Sequence, residues 1–126
     1  MALTVQKMLA EAEAAVPRIT VDEAKALVGR ADVVFLDVRE PAEVAASGKV
    51  PGAVAIPRGL VEFRVDPASP AHDKNFDQSK TVVAYCASGG RSALVLKTLK
   101  DMGYDKVRNL GTFKSWAEAG GEIEKV

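Results

Sequence analysis

Residues 81–102 read TVVAYCASGGRSALVLKTLKDM and contain the only cysteine of the chain, Cys86. Residues 81–85 form a short apolar run rich in β-branched side chains, which predicts a buried strand. From Ser92 onward apolar residues recur at helical spacing, which predicts a helix that ends at Met102. Cys86 and the glycine-rich turn that follows it therefore lie where a strand gives way to a helix.

The turn after Cys86 has the composition of an anion-binding loop. Unpaired backbone N–H groups and the positive end of the helix dipole converge at the start of a helix and stabilise an anion there. A thiolate in such a place is a good nucleophile at neutral pH, and Arg91 adds a guanidinium suited to an oxyanion. Free cysteine is often only a small buried hydrophobe. Gly89, Gly90 and Arg91 favour the functional interpretation, because they fit a backbone wrapped around a ligand better than they fit core packing.

Composition limits the classes of function. The 126 residues suffice for one domain with its own core. Basic and acidic side chains balance at 17 each, and the pI near 6.6 lacks the excess of a nucleic-acid binder. One cysteine cannot form an internal disulfide, no apolar run approaches the ~20 residues of a membrane span, and Lys7, Glu11 and Glu13 interrupt any apolar core of a signal peptide. We therefore expect a cytoplasmic protein without nucleic-acid or membrane partners.

Strand and helix patterns alternate along the chain, which predicts an α/β fold with a mostly parallel sheet and helices on both faces. The other predicted helices cover 3–15, 20–28, 41–46 and 113–119, and the other predicted strands cover 33–36, 54–56 and 107–110. A helical turn is expected at 59–63 and a long irregular loop at 64–80. Residues 1–17 are predicted to form a helical arm that packs on the body or on a second copy of the chain, giving a dimer, and that precedes one domain at 18–126.

Four segments resemble the signatures of the rhodanese sulfurtransferase family and occur in family order. They are CASGGRS at 86–92, which resembles the active-site loop of single-domain rhodaneses, LDVREPAE at 36–43, KVPGAVAIP at 49–57 and NLGTFKSW at 109–116. The chain departs from the family pattern at Lys49, where a histidine is frequent, and at Gly111-Thr112, where a glycine pair is frequent. Neither departure falls in the cysteine loop.

The resemblance implies a rhodanese-like three-layer fold and a sulfurtransferase that needs no cofactor and no metal. Cys86 would attack the outer sulfur of a small anionic donor such as thiosulfate and carry that sulfur as a persulfide, which a thiol or cyanide then removes. Backbone N–H groups of the loop would hold the persulfide anion. The predicted substrate-binding residues are Ala87, Ser88, Gly89, Gly90, Arg91 and Ser92. Without a second cysteine, the sulfur must leave to another molecule, such as a protein thiol.

Four more residues are candidates for supporting roles, and each has a plainer alternative. Asp37 and Arg39 end a predicted strand, and the resemblance implies that they brace the cysteine loop; a surface ion pair is the alternative. Arg58 and Arg64 are candidates for the mouth of the pocket, with solvated surface arginines as the alternative. His72, the sole histidine, lies in the irregular segment, so we expect a loop surface residue rather than a general base.

Two other classes of function stay open. Cysteine phosphatases and arsenate reductases also use a Cys and Arg loop, and some of these phosphatases share the rhodanese fold. Their loops resemble Cys, five residues and then Arg, whereas four residues separate Cys86 from Arg91. The shorter ring suits a sulfur atom better than a tetrahedral oxyanion. The second alternative is a non-enzymatic sulfur carrier or docking module, and for a carrier with one protein acceptor thiosulfate would be a poor donor.

Overall fold

The computed structural model describes residues 2–126 and is built around a parallel sheet. Its strands are β1 (Val33–Asp37), β2 (Val54–Ala55), β3 (Thr81–Cys86) and β4 (Val107–Thr112). Its helices are α1 (Val5–Ala15), α2 (Val21–Leu27), α3 (Pro41–Ser47), α4 (Val61–Val65), α5 (Gly90–Asp101) and α6 (Phe113–Glu118), with a 3-10 turn at Arg58–Leu60. The strand order is β2-β1-β3-β4 and every pairing is parallel, which confirms the predicted α/β class.

Strand β3 lies in the middle of the sheet and is buried on both faces, as central parallel strands are. Val82, Ala84 and Cys86 face a core formed with α4 and α5. Val83 and Tyr85 face a second core formed with α2 and α6. The helices therefore cover both faces of the sheet, and Cys86 lies at the end of the strand on the face covered by α5.

The irregular segment is shorter than predicted, because α4 continues to Val65. Phe76 is fully buried and fixes the middle of this segment to the body, while the Tyr104 hydroxyl donates to the Val65 carbonyl at 2.5 Å. Burial raises the pKa of Tyr104 to about 12. His72 is half-buried, with its Nε2 2.9 Å from the carbonyl oxygen of Phe76. The histidine thus holds its own loop together.

The N-terminal helix α1 packs on α5 through Ala12, which is fully buried. Leu9 lies over the start of α5, since a β-carbon placed on Gly90 would be 3.8 Å from Leu9 Cδ2. Lys100 fixes the end of the arm by donating to the carbonyl of Ala15 at 2.9 Å. The arm thus packs on the body, while dimer formation stays a prediction. None of the helices within residues 2–126 combines the length and the apolar character needed to cross a membrane.

Candidate active site

The candidate site lies at the carboxyl edge of the sheet, where ligands bind in open parallel α/β folds. Cys86 is the last residue of β3, and the neighbouring strands β1 and β4 end beside it at Asp37 and Thr112. The chain then turns through four residues to Arg91 in the first turn of α5. Ala87 and Ser88 are exposed, whereas Cys86 itself is fully buried. The loop thus covers the sulfur that the sequence identifies as the nucleophile.

The Cys86 sulfur accepts a hydrogen bond from the backbone N–H of Gly89, with the nitrogen 2.9 Å from Sγ. Gly89 caps the amino end of α5 in the left-handed region, at φ +91°, which glycine adopts without strain. This conformation turns the amide back toward the sulfur. The sequence predicted that several amides from Ala87 to Ser92 converge on the ligand; in the described chain, Gly89 supplies the single amide bond to Sγ.

Ser92 and Asn109 form a buried polar pair behind the sulfur. The thiol of Cys86 donates to Ser92 Oγ at 3.6 Å, and Ser92 Oγ lies 3.0 Å from both the Gly89 carbonyl and Asn109 Oδ1. Asn109 Oδ1 also accepts from the Gly111 amide at 2.9 Å. Ser92 thus contacts the sulfur from the first turn of α5. Asn109 was not among the predicted site residues, although an amide side chain within the predicted strand 107–110 was a visible signal.

The guanidinium of Arg91 is not free to bind a ligand anion, contrary to the prediction. Its two terminal nitrogens bind the carboxylate of Glu43 at 2.7 and 3.0 Å. Hydrogen bonding to Arg91, followed by the Glu40 amide, lowers the pKa of Glu43 to about 2, and the same carboxylate raises the pKa of Arg91. The positive charge that the sequence assigned to the loop is therefore balanced. The sequence did not identify Glu43 as a site residue, because a glutamate in the first turn of a helix, here α3, is favourable without any role in a site.

Asp37 and Arg39 form a buried ion pair, which excludes the surface alternative. Arg39 Nη2 lies 2.7 Å from Asp37 Oδ2 and also donates to the Gly48 carbonyl at 2.8 Å. Burial disfavours the charged guanidinium, but bonding to Asp37 outweighs it and leaves the pKa of Arg39 raised. The guanidinium stacks on Phe113, 4.4 Å from the ring centroid, and lies 5.7 Å from that of Tyr85. The pair links β1 to the end of α3 and lies against Tyr85. In the described chain no hydrogen bond or ion pair joins it to the cysteine loop, and its role in bracing that loop stays a prediction.

Arg58 was predicted to support the site, but its ion-pair partner lies outside the cysteine loop. Arg58 is half-exposed and pairs with Glu62, with Nη1 2.9 Å from Oε1. Within residues 2–126, no hydrogen bond or ion pair joins Arg58 to the cysteine loop, so the structure does not assign it to the site. Over the same residues, His, Cys, Asp and Glu side chains form no group that could hold a metal ion.

Comparison with known proteins identifies the family. The family model described as the rhodanese-like domain matches residues 20–119. The chain belongs to this family. The sulfurtransferase of Allochromatium vinosum is 36% identical over 90 residues, covering 71% of this chain and 76% of that protein. The thiosulfate sulfurtransferase PspE of Escherichia coli is 36% identical over 83 residues, covering 66% and 73%. At the level of the family, the chain is thus a sulfurtransferase relative.

A solved structure from Rhodopseudomonas palustris extends the similarity of the fold to almost the whole chain. It aligns with 98% of this chain and 96% of its own length at a TM-score of 0.90 and 42% identity. That protein is described as being of unknown function and as a possible tyrosine phosphatase. Because the alignment covers 98% of this chain, most of helix α1 falls within it.

Proposed function

We propose that this chain is a sulfurtransferase that takes a sulfane sulfur from thiosulfate onto Cys86 and passes it to a thiol acceptor. The observation that carries the proposal is the Gly89 amide bonded to the Cys86 sulfur at the amino end of α5. A donor placed in this way stabilises the negative charge of the Cys86 thiolate. The sulfurtransferase relatives support the same reaction class.

In the first step the Cys86 thiolate attacks the outer sulfur of thiosulfate. A bond forms between the two sulfur atoms, the bond from the outer sulfur to the sulfonate sulfur breaks, and sulfite leaves with the electron pair. The product is a Cys86 persulfide that keeps one negative charge, so no oxidant or reductant is needed. The thiol proton must leave first, and it passes to solvent water when the loop opens, because Ser92 Oγ, which accepts the S–H hydrogen bond, is a neutral hydroxyl and not a base.

The persulfide places its terminal sulfur about 2 Å beyond Sγ, within the turn of the loop. Because Cys86 is fully buried, the loop has to move outward to admit the donor. Gly89 and Gly90 give the backbone the freedom to do so. The amides of the loop would then turn toward the terminal sulfur, as they do toward anions at other helix amino ends.

The second step transfers the sulfur to an external thiol, which restores Cys86. No other cysteine exists in the chain, so an internal disulfide cannot release the sulfur. The reaction should follow ping-pong kinetics, in which thiosulfate and acceptor never occupy the site together. Initial rates at several fixed acceptor concentrations should therefore give parallel double-reciprocal lines. Intersecting lines would contradict a covalent sulfur carrier on the enzyme.

A phosphatase is the second candidate, because the Rhodopseudomonas palustris protein is described as a possible tyrosine phosphatase. The loop has only four residues between Cys86 and Arg91, which is small for a phosphate. The Glu43 carboxylate already bonds the Arg91 guanidinium that would hold a phosphate. We expect hydrolysis of aryl phosphates at background rates. Efficient turnover that is lost in Cys86→Ser would replace the sulfurtransferase proposal with a phosphatase.

A further inference from the structure

Arg18 is a cation beside the cysteine loop that the sequence did not single out. Its backbone forms a parallel bridge with Asn109 at the edge of β4. The Ile19 amide donates to the Asn109 carbonyl at 3.2 Å, and the Asn109 amide donates to the Pro17 carbonyl at 2.9 Å. These two bonds fix the start of the Arg18 side chain next to the strand that carries the polar support of Cys86.

The Arg18 side chain packs against Gly111, which links it to the loop. A β-carbon placed on Gly111 would lie 2.7 Å from Arg18 Nη2, 3.4 Å from Cζ and 3.8 Å from Nη1. The guanidinium thus occupies the space left by the missing side chain. Gly111 also meets the loop, because a β-carbon on Gly89 would be 3.8 Å from Gly111 Cα. Arg18 and the amide donor Gly89 therefore neighbour the same glycine.

Within the described residues, Arg18 has no carboxylate partner, unlike Arg39, Arg58 and Arg91. Arg39 pairs with Asp37, Arg58 with Glu62 and Arg91 with Glu43. Throughout residues 2–126, no carboxylate lies within 4.0 Å of the exposed Arg18 guanidinium. A cation near the amino end of a helix is repelled by the helix dipole, so this position offers little stability. An anion at the loop would be attracted by both the cation and the dipole.

We infer that Arg18 is the residue that attracts the dianionic sulfane-sulfur donor to the Cys86 loop, and that it sets the preference for donors with more negative charge. This inference rests on the proposed function. Thiosulfate carries two negative charges and releases a dianion, so a cation at the rim favours its capture. Arg91 contributes less to this capture, because Glu43 already balances its charge.

The direct test measures the second-order rate constant of Cys86 persulfide formation with two donors of different charge. Thiosulfate is the dianion and benzenethiosulfonate the monoanion. Arg18→Gln should slow the reaction with thiosulfate about fivefold to tenfold at low salt and the reaction with benzenethiosulfonate about twofold to threefold. Both losses should shrink at high salt, and Arg18→Lys should retain most of the rate.

Arg108→Gln is the matched control. Like Arg18→Gln, it removes one positive charge. Arg108 precedes Asn109 in β4, and its Nη1 donates to the Val107 carbonyl at 2.8 Å instead of packing on Gly111. This variant should keep the wild-type preference between the two donors. Equal rates and equal salt dependence in Arg18→Gln and Arg108→Gln would overturn the inference.

A second readout separates this inference from the proposed function, because it needs no sulfur transfer. Cys86 is alkylated by anionic iodoacetate and by neutral iodoacetamide, and the ratio of the two rates reports the charge at the rim. Arg18→Gln should lower that ratio about threefold, and Arg108→Gln should leave it unchanged. An unchanged ratio in Arg18→Gln overturns the role of Arg18. A lowered ratio in a protein that takes up no sulfur supports the anion-attracting role while the sulfurtransferase proposal fails.

Discussion

Replacing Asp37 by alanine should strongly destabilise the protein, because it removes the partner of a buried cation. The carboxylate accepts three bonds from the Arg39 side chain, at 2.7, 3.0 and 3.2 Å, and one from the Arg39 backbone amide at 3.0 Å. Arg39 is 4% exposed, so water cannot replace those contacts without opening the structure. The guanidinium would keep Ser47 and Gly48 as partners but lose its counter-charge.

Breaking a buried ion pair by removing one partner costs about 3–5 kcal/mol. Domains of this size are stable by about 5–15 kcal/mol, so the loss is a large share of the total. The exposed pair Arg30–Asp32 offers a comparison within the chain, since its Nε–Oδ1 distance is 3.0 Å but its side chains are 58% and 64% exposed. Asp32→Ala should cost far less than Asp37→Ala, because exposed ion pairs contribute little to stability.

The assay is urea unfolding followed by far-UV circular dichroism, with a double-mutant cycle. Asp37→Ala, Arg39→Met and their double variant are compared with wild type, and Asp32→Ala serves as the surface control. The double variant should be more stable than Asp37→Ala, because it no longer buries an unpaired charge. If Asp37→Ala costs no more than Asp32→Ala, the pair is solvated and does not brace the site.

Three further predictions concern the loop and its neighbours. Glu43→Gln should lower the free energy of unfolding by less than about 1 kcal/mol, because the Arg91 pair is half-exposed. Folding lowers the pKa of Glu43, so this loss should be present above the ordinary pKa of 4.5 and should vanish as the pH falls toward about 2. Gly89→Ala should slow persulfide formation more than tenfold, since alanine at φ +91° is strained and shifts the amide that bonds Sγ, whereas Gly59→Ala, which meets open space, should not. Asn109→Ala should lower the free energy of unfolding by about 1–3 kcal/mol in urea, because it removes a buried acceptor from two donors.

The elements around Cys86 could be predicted because their signals are local. The apolar run of β3 and the helical spacing of α5 are properties of adjacent residues. Strand β3 continues one residue beyond the predicted range, and α5 begins two residues earlier and ends one residue earlier than predicted. The capping box of α2 is equally local, since the Glu23 amide donates to Thr20 Oγ1 at 3.1 Å. These local signals were enough to place the cysteine at the end of a buried strand.

The electrostatics of the site could not be predicted, because they depend on contacts between distant segments. Glu43 and Arg91 are 48 positions apart, so the sequence showed a free arginine where the structure holds a neutralised one. Asp37 and Arg39 are two positions apart, yet only the packing of Phe113 and α3 shows that the pair is buried. Charges near a site thus need the fold before their roles can be assigned.

The intact mass of the protein after incubation with thiosulfate tests the central claim most directly. The wild-type protein should gain the mass of one sulfur atom, lose it on treatment with a thiol or cyanide, and release one sulfite for each sulfur bound. Cys86→Ser should gain nothing under the same conditions. Equal sulfur uptake by Cys86→Ser, or no uptake by a wild-type protein whose Cys86 is alkylated readily, would contradict the account of Cys86 as the carrier of sulfur from thiosulfate.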